Sequence, residues 1–454
     1  MANSKEFHSS PVDRRDFLRQ AAASAAIGTA ALSTCSPAIA GADKPALLGG
    51  MPVRQSSWPS WPFTDQAEEQ ALVEVLRSGS WYRYRAGADG TVANFEKTWA
   101  ETIGTSYCQA TANGTSSLVT ALAALEIGPG DEVLVPPYTF IATINAVLLL
   151  HALPVFVDSD FDTALMDPDK IEARINSQTR AVIPVHVAGA PCEMDRIRAV
   201  TGRHGIKIVE DACQAHTGEW RGARVGSLGD AGCFSFQNSK NITSGEGGAV
   251  TTNDKQLLGR AQAFQNNGRS QIGDDGGFTS NGANLRLTEF QAAILLEQHR
   301  RLDEQSRRRE NNGAYLVKLL DGIPGVRAKP TYPGATRHGY HLFMAEYDPD
   351  QFAGMTKTRF LEALRAEGIP ASGGYAPTNK MSFVEQFLSS RGFQRIYSAA
   401  RLKRYRQENT CPENDRLCET CFWLTQNTLL GSKEDMEDVA RAIERVQRHA
   451  AALV

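Results

Sequence analysis

A single lysine, Lys240, lies within a polar, glycine-rich connection between two apolar runs, in CFSFQNSKNITSGEGGAV at residues 233–250. Cys233, Phe234, Ser235 and Phe236 have the apolar and aromatic character of a buried strand, and Gly-Ala-Val-Thr-Thr from Gly248 reads as a second. A lysine held there beside apolar or cationic neighbours loses its proton and becomes a nucleophile toward a carbonyl. Gly245, Gly247 and Gly248 let the backbone approach something bulky. Taken alone, the stretch is equally a hairpin-like loop with an exposed lysine. The groups upstream shift the balance.

Ile206-Lys207-Ile208-Val209 is a strand-like run that ends in Glu210-Asp211. In open parallel sheets, ligands bind beyond the carboxyl ends of the strands, where Asp211 falls. Asn113-Gly114-Thr115-Ser116-Ser117 precedes an apolar periodic run at Leu118, Val119, Leu122 and Leu125, which marks a helix start. The free N–H groups and dipole at such an end suit a phosphate. Phe140, in Tyr138-Thr139-Phe140, opens another helix in the same region. A lysine to form an imine, an aspartate to keep a ring nitrogen protonated, a helix start for a phosphate and an aromatic ring to lie over a flat one are what pyridoxal phosphate requires.

The elements that must position these groups alternate. Strands are expected at 132–135, 153–157, 181–187 and 206–209, and helices at 141–150 and 193–203, which predicts an α/β fold with a mostly parallel sheet covered on both faces. Upstream, residues 41–64 carry Trp58-Pro59-Ser60-Trp61-Pro62 and read as an extended arm lying on another surface. A helix is expected over 65–78, then a loop at 81–90 that borders a site. Downstream come a long helix over 287–320, with an apolar stripe at Phe290, Ile294 and Leu302, and a smaller α+β part from about 325. That part holds a strand at 341–347 and helices at 357–367 and 433–449. The expected domains are therefore a leader at 1–40, a large domain at 41–320 and a small one at 321–454.

The chain of 454 residues has a formal net charge of −3, which gives no reason to expect nucleic acid. Only residues 391–406 are locally basic, and they read as a solvated face rather than a mobile insertion or part of a substrate rim. Cys418-Glu419-Thr420-Cys421 is a C-x-x-C pattern without a fourth ligand nearby, so Cys411, Cys418 and Cys421 read as packing residues or a disulfide and no metal is expected. His216 and His341 read as structural histidines, and Glu246 as a brace for the glycine loop.

The N-terminus is a leader by composition. Asp13-Arg14-Arg15-Asp16-Phe17-Leu18-Arg19 is a twin-arginine pattern, residues 20–32 are small and apolar, and Ala38-Ile39-Ala40 is a cleavage pattern. The expectation is export to the periplasm by the twin-arginine machinery, which carries folded proteins. A lipid anchor at Cys35 is a weaker reading of the same segment.

The segments NGTSSLVTAL (113–122), VPPYTFIATINAV (135–147), VEDACQAHTGEW (209–220), VGSLGDAGCFSFQNSKNITSGEGGAV (225–250) and NLRLTEFQAAIL (284–295) resemble the DegT–DnrJ–StrS family of sugar aminotransferases. The Phe-Ser-Phe-Gln form before the lysine resembles the branch with aminohydroxybenzoate synthases and scyllo-inosose aminotransferases. The resemblance implies the aspartate aminotransferase-like fold (fold type I) and a transaminase using pyridoxal 5'-phosphate. By motif, Lys240 would carry the cofactor and shuttle protons, and Asp211 would face the ring nitrogen. Gln214 would pack near the ring, Phe140 would stack on it, and Gly114, Thr115 and Ser235 would bind the phosphate. Asn284 would reach the phosphate of the neighbouring subunit in a homodimer, and Tyr375 would line the substrate pocket. The implied amino donor is glutamate or glutamine, and the implied acceptor a keto-sugar or cyclitol ketone. Two other readings stay open: another pyridoxal reaction such as dehydration or elimination, and an exported binding protein that keeps the fold. Against the first stands Lys240, since relatives that dehydrate sugars carry histidine there.

Overall fold

The computed structural model describes residues 43–270 and 277–454. The leader at 1–40 and Cys35 lie outside the described residues.

The first nine strands are β1 (Tyr107–Thr111), β2 (Glu132–Val135), β3 (Leu153–Phe156), β4 (Thr179–Val182), β5 (Lys207–Asp211), β6 (Glu219–Trp220), β7 (Ala223–Arg224), β8 (Ala231–Ser235) and β9 (Gly248–Thr252). Seven of them form one sheet in the order β1-β9-β8-β5-β4-β2-β3. Strands β2, β3, β4, β5 and β8 pair in parallel, while β9 runs antiparallel to both β8 and β1. The mostly parallel α/β sheet expected from the sequence is the one observed. Residues of β2, β3, β8 and β9 are buried throughout, as strands covered on both faces must be.

That topology fixes the location of chemistry. Asp211 pairs with Cys233, Ser235 with Gly248, and Gly248 with Thr111. Strands β1, β5 and β8 therefore end along one edge of the sheet, where β9 begins. The helix Gly114–Ala124 starts there too, and the Lys240 loop leaves from it.

Phe234 and Phe236 anchor the strand before the lysine. Both rings meet the fully buried Trp99 edge-on, with centroids 5.2 Å apart and interplanar angles of 85° and 90°. Trp99 comes from the helix Thr91–Ile103, and Leu295 and Leu302 of the long helix Glu289–Leu320 close the same core.

The C-terminal strands are β10 (Val326–Ala328), β11 (Ala335–Arg337), β12 (Leu342–Tyr347) and β13 (Cys421–Thr425). Strands β10, β12 and β13 form an antiparallel sheet, and β11 joins β6 and β7 in another. Phe343, Phe360, Phe422, Val439 and Ile443 share the core behind β12. The arm around Arg54 lies on this part of its own chain. Arg54 is buried, pairs with Asp435 and Asp438, and sits 4.0 Å over the Trp58 ring, while Trp58 Nε1 donates to Gly368 O at 2.9 Å.

Residues 391–406 form the helices Arg391–Ile396 and Ala399–Glu408, which expose Arg391, Arg395, Lys403, Arg404 and Arg406 as the expected solvated face and bury Phe393, Tyr397, Leu402 and Tyr405 in the core of the large sheet. Two expectations need correction. The loop expected at 81–90 contains a short helix, Arg83–Ala86, held by Arg83 Nη1 and Nη2 donating to Glu96 at 2.8 and 2.9 Å. The strand expected over 181–187 ends at Val182, because Pro184 has no N–H for the ladder and the chain turns at Ala188, φ 59°. Each described cysteine is free, so Cys418 and Cys421 form no disulfide.

The basic segment is tied down by one buried pair. Arg401 Nη2 donates to Glu132 Oε2 at 2.8 Å, and Glu132 is 1% exposed. Replacing Arg401 with methionine leaves that carboxylate largely uncompensated, with only Asn176 Nδ2 still donating at 2.7 Å. We expect a loss of about 3 kcal/mol in denaturant unfolding, and recovery of about half of it in the Glu132→Gln, Arg401→Met double variant.

Candidate active site

Along the sheet edge opens a cavity of about 940 Å³. Gly114, Thr115, Phe140, Asp211, Gln214, Ser235, Lys240 and Tyr375 all line it, so the fold brings these sequence-expected residues together. Asn284 does not line it. It is exposed, between Ala283 and Leu285 of the wall.

Lys240 follows a turn in which its N–H donates to Gln237 O at 2.9 Å. Burial lowers the pKa of its amine, and the nearby Cys213 and Asp211 only partly oppose that effect. Asp211, buried at the end of β5, accepts from the Thr143 hydroxyl at 2.8 Å on Oδ2 and from the Cys213 N–H at 3.2 Å on Oδ1. The carboxylate is thus fixed in orientation, with acceptor capacity left for a ligand.

Gln214 is clamped at both ends of its amide. Oε1 accepts from the Ala188 N–H at 2.8 Å, and Nε2 donates to Tyr375 Oη at 2.7 Å. Tyr375 in turn meets Tyr138 and Trp423 edge-on, at 5.4 and 4.8 Å between centroids.

The glycines act mainly on the protein's own packing. A Cβ on Gly114 would stand 2.6 Å from Ser235 Cβ and 3.1 Å from Cys213 Sγ, and one on Gly248 would stand 2.4 Å from Asn113 O. The helix start is therefore pressed against the ends of β8 and β9. Gly245, at φ 82°, supplies the turn. Asn113 Oδ1 accepts the Ser116 N–H at 2.9 Å, and the N–H groups of Gly114 and Thr115 meet no acceptor among the described residues.

His216 is structural, as expected. Its Nε2 donates to Ser235 O at 2.7 Å, and burial lowers its pKa to about 3. His341 differs from its expected role: it lines the cavity, with Nε2 3.5 Å from Lys240 Nζ. Thr143 and Trp423 also line the wall and escaped the sequence reading. Thr143 lies one turn beyond Phe140, where a side-chain hydroxyl in an apolar helix was the available signal. Glu246 lines the wall with an exposed side chain, and its carbonyl accepts from Gln291 Nε2 at 2.8 Å.

The DegT/DnrJ/EryC1/StrS aminotransferase family matches residues 62–444. The chain belongs to that family. It is an aminotransferase, with the aspartate aminotransferase-like fold. It is 38% identical over 424 residues to an L-glutamine:2-deoxy-scyllo-inosose aminotransferase of Streptoalloteichus tenebrarius, covering 89% of this chain and 97% of the relative. The crystal structure of 3-amino-5-hydroxybenzoic acid synthase superposes with a TM-score of 0.78 at 31% identity, over 88% of this chain and all of the other. S. venezuelae DesV, solved in complex with a ketimine intermediate, superposes at 0.69 and 31% identity, over 85% of this chain and 98% of that one.

The donor set of this aminotransferase fits pyridoxal phosphate. The lysine amine is shifted toward its uncharged form, the carboxylate is fixed, and two helix-start N–H groups are unpartnered. Phe140, 58% exposed, presents its ring to the cavity.

Burial makes the sign of one pH effect definite. The Lys240 amine of the cofactor-free protein should be acetylated with a pH midpoint below that of the surface lysines, read by mass spectrometry of the 240 peptide. Unfolding restores the ordinary value of 10.5. Between the two values the unfolded chain binds the extra proton, so stability should rise with pH across that window. A midpoint at or above that of the surface lysines contradicts the burial argument.

Proposed function

We propose that this aminotransferase carries pyridoxal phosphate on Lys240 and moves an amino group from L-glutamine to the ketone of a cyclitol. The observation that carries the proposal is the 38% identity, across 97% of its length, to a relative named for that donor and acceptor. The cavity adds what the chemistry requires.

When bound, the cofactor supplies an aldehyde that forms an imine and a conjugated ring that accepts an electron pair. The chain's residues do the rest. Lys240 would hold the cofactor through its amine, and that amine is the group on this chain that would take up and return the transferred proton. Asp211, steadied by Thr143 and the Cys213 N–H, keeps the ring nitrogen protonated. Gly114, Thr115 and Ser235 would hold the phosphate at the helix start. Phe140 would stack on the ring. Gln214 and Tyr375, linked at 2.7 Å, would line the substrate side of the cavity.

The proposal includes a homodimer in which Asn284 serves the neighbouring subunit's phosphate. It is supported by the exposure of Asn284 beside the cavity wall and by the exposed Leu149 and Phe278. It also includes export through the twin-arginine machinery, supported by Arg14-Arg15 and the apolar segment after them.

Purified protein incubated with L-glutamine should release the matching 2-oxo acid, one per subunit, and then aminate a scyllo-inosose-type ketone, both read by mass spectrometry. Lys240→Ala should abolish the visible absorbance of the lysine-bound cofactor, and Asp211→Asn should slow the half-reaction by at least about a hundredfold. Amination of nucleotide-linked keto-sugars but not of cyclitol ketones would overturn the acceptor assignment. A normal absorbance band in Lys240→Ala would overturn the lysine assignment.

A further inference from the structure

His341 is set beside Lys240 by a built arrangement. The two residues are 101 apart in sequence, yet the loops that carry them are joined at adjacent positions. Asn241 Nδ2 donates to Gly339 O at 2.7 Å and to Tyr340 O at 3.3 Å. On the other side, Gly339 N–H donates to Gly189 O at 2.7 Å and His341 N–H to Ala188 O at 2.8 Å. The backbone between is strained: Tyr340 has φ 44°, and a Cβ on Gly189 would stand 2.6 Å from Tyr340 N. Tyr340 packs so closely on the long helix that a Cβ on Gly313 would stand 2.5 Å from its ring. The result is that the His341 imidazole enters the cavity with Nε2 toward the lysine amine, while its Nδ1 is buried without a hydrogen-bond partner.

We propose that His341 is a positioning residue for the Lys240 amine: Nε2 accepts one N–H of that amine and leaves the other two positions of the nitrogen directed into the cavity. The proposal rests on the aminotransferase reading and adds to it a group from the C-terminal part of the chain. A lysine amine rotates freely about its last bond, and proton transfer needs its lone pair or N–H aimed at the reacting carbon. One fixed acceptor removes that freedom. The 3.5 Å separation is the outer limit of a hydrogen bond, as is usual for catalytic contacts before substrate closes the site.

The imidazole is suited to accept because it is neutral. Burial pushes its pKa well down, and Lys240, His216 and Arg309 push the same way. Asp211 and Cys213 face Lys240 from β5 and the turn beyond it, and favour the ammonium. Arg309, fully buried, donates to Gln426 Oε1 at 2.9 and 2.6 Å and has no carboxylate partner among the described residues. Its charge adds to burial, the larger cause, in disfavouring the imidazolium.

The test uses His341→Phe, His341→Gln and His341→Ala. The amide oxygen of glutamine can still accept; phenylalanine cannot. In cofactor-free protein, His341→Phe should lower the pH midpoint for Lys240 acetylation, because an acceptor that favours the ammonium is gone. In loaded enzyme it should keep the visible band and bind glutamine within about threefold of wild type, yet slow the single-turnover half-reaction by about tenfold to a hundredfold. His341→Gln should recover most of the rate. If His341→Phe does not fold, His341→Ala replaces it, and added imidazole should restore its rate. An unmoved midpoint with an unchanged rate, a glutamine variant as slow as phenylalanine, or loss of the visible band in every variant would each overturn the proposal. Absence of that band from wild-type protein would instead defeat the pyridoxal reading beneath it.

Discussion

A charged amine cannot be buried cheaply, and the site is organised around that fact. Taking an ammonium out of water costs several kcal/mol unless a carboxylate compensates it. Asp211 is near, but its two oxygens are engaged by Thr143 and the Cys213 N–H rather than by Lys240. The amine thus reaches neutrality more readily than a surface lysine does. The packing of Trp99 against Phe234 and Phe236 holds the strand that leads to Lys240.

The remaining parts converge because the sheet gives them no other place. Parallel strands send their carboxyl ends to one edge, and the reversal of β9 returns the chain to that edge. The helix start at Gly114 is pressed against β8 and β9 with no room for a side chain. The unpartnered helix-start N–H groups, the carboxylate and the amine are set by the same backbone register, so a shift in one strand would move them together.

The strands, the lysine and the aspartate were legible because each is announced locally. Apolar runs bound the loop of Lys240, and Asp211 stands directly after one. What escaped depends on long-range closure. His341 follows a glycine-containing turn with no local sign of Lys240, and Thr143 looks like any helix hydroxyl. In residues 391–406 the arginines announce the exposed face, while the four apolar side chains that anchor the opposite face are spaced three to five residues apart and give a weaker signal. Gly248 reads as a site of close backbone approach, and what approaches it is Asn113 at the protein's own helix start.

Arg54 finds its partners almost at the other end of the chain, in Asp435 and Asp438. During synthesis that contact cannot form until the helix Lys433–Arg448 has emerged. The segment around Arg54 is consequently fastened late, so its docking reports that the helix carrying Asp435 and Asp438 is already in place.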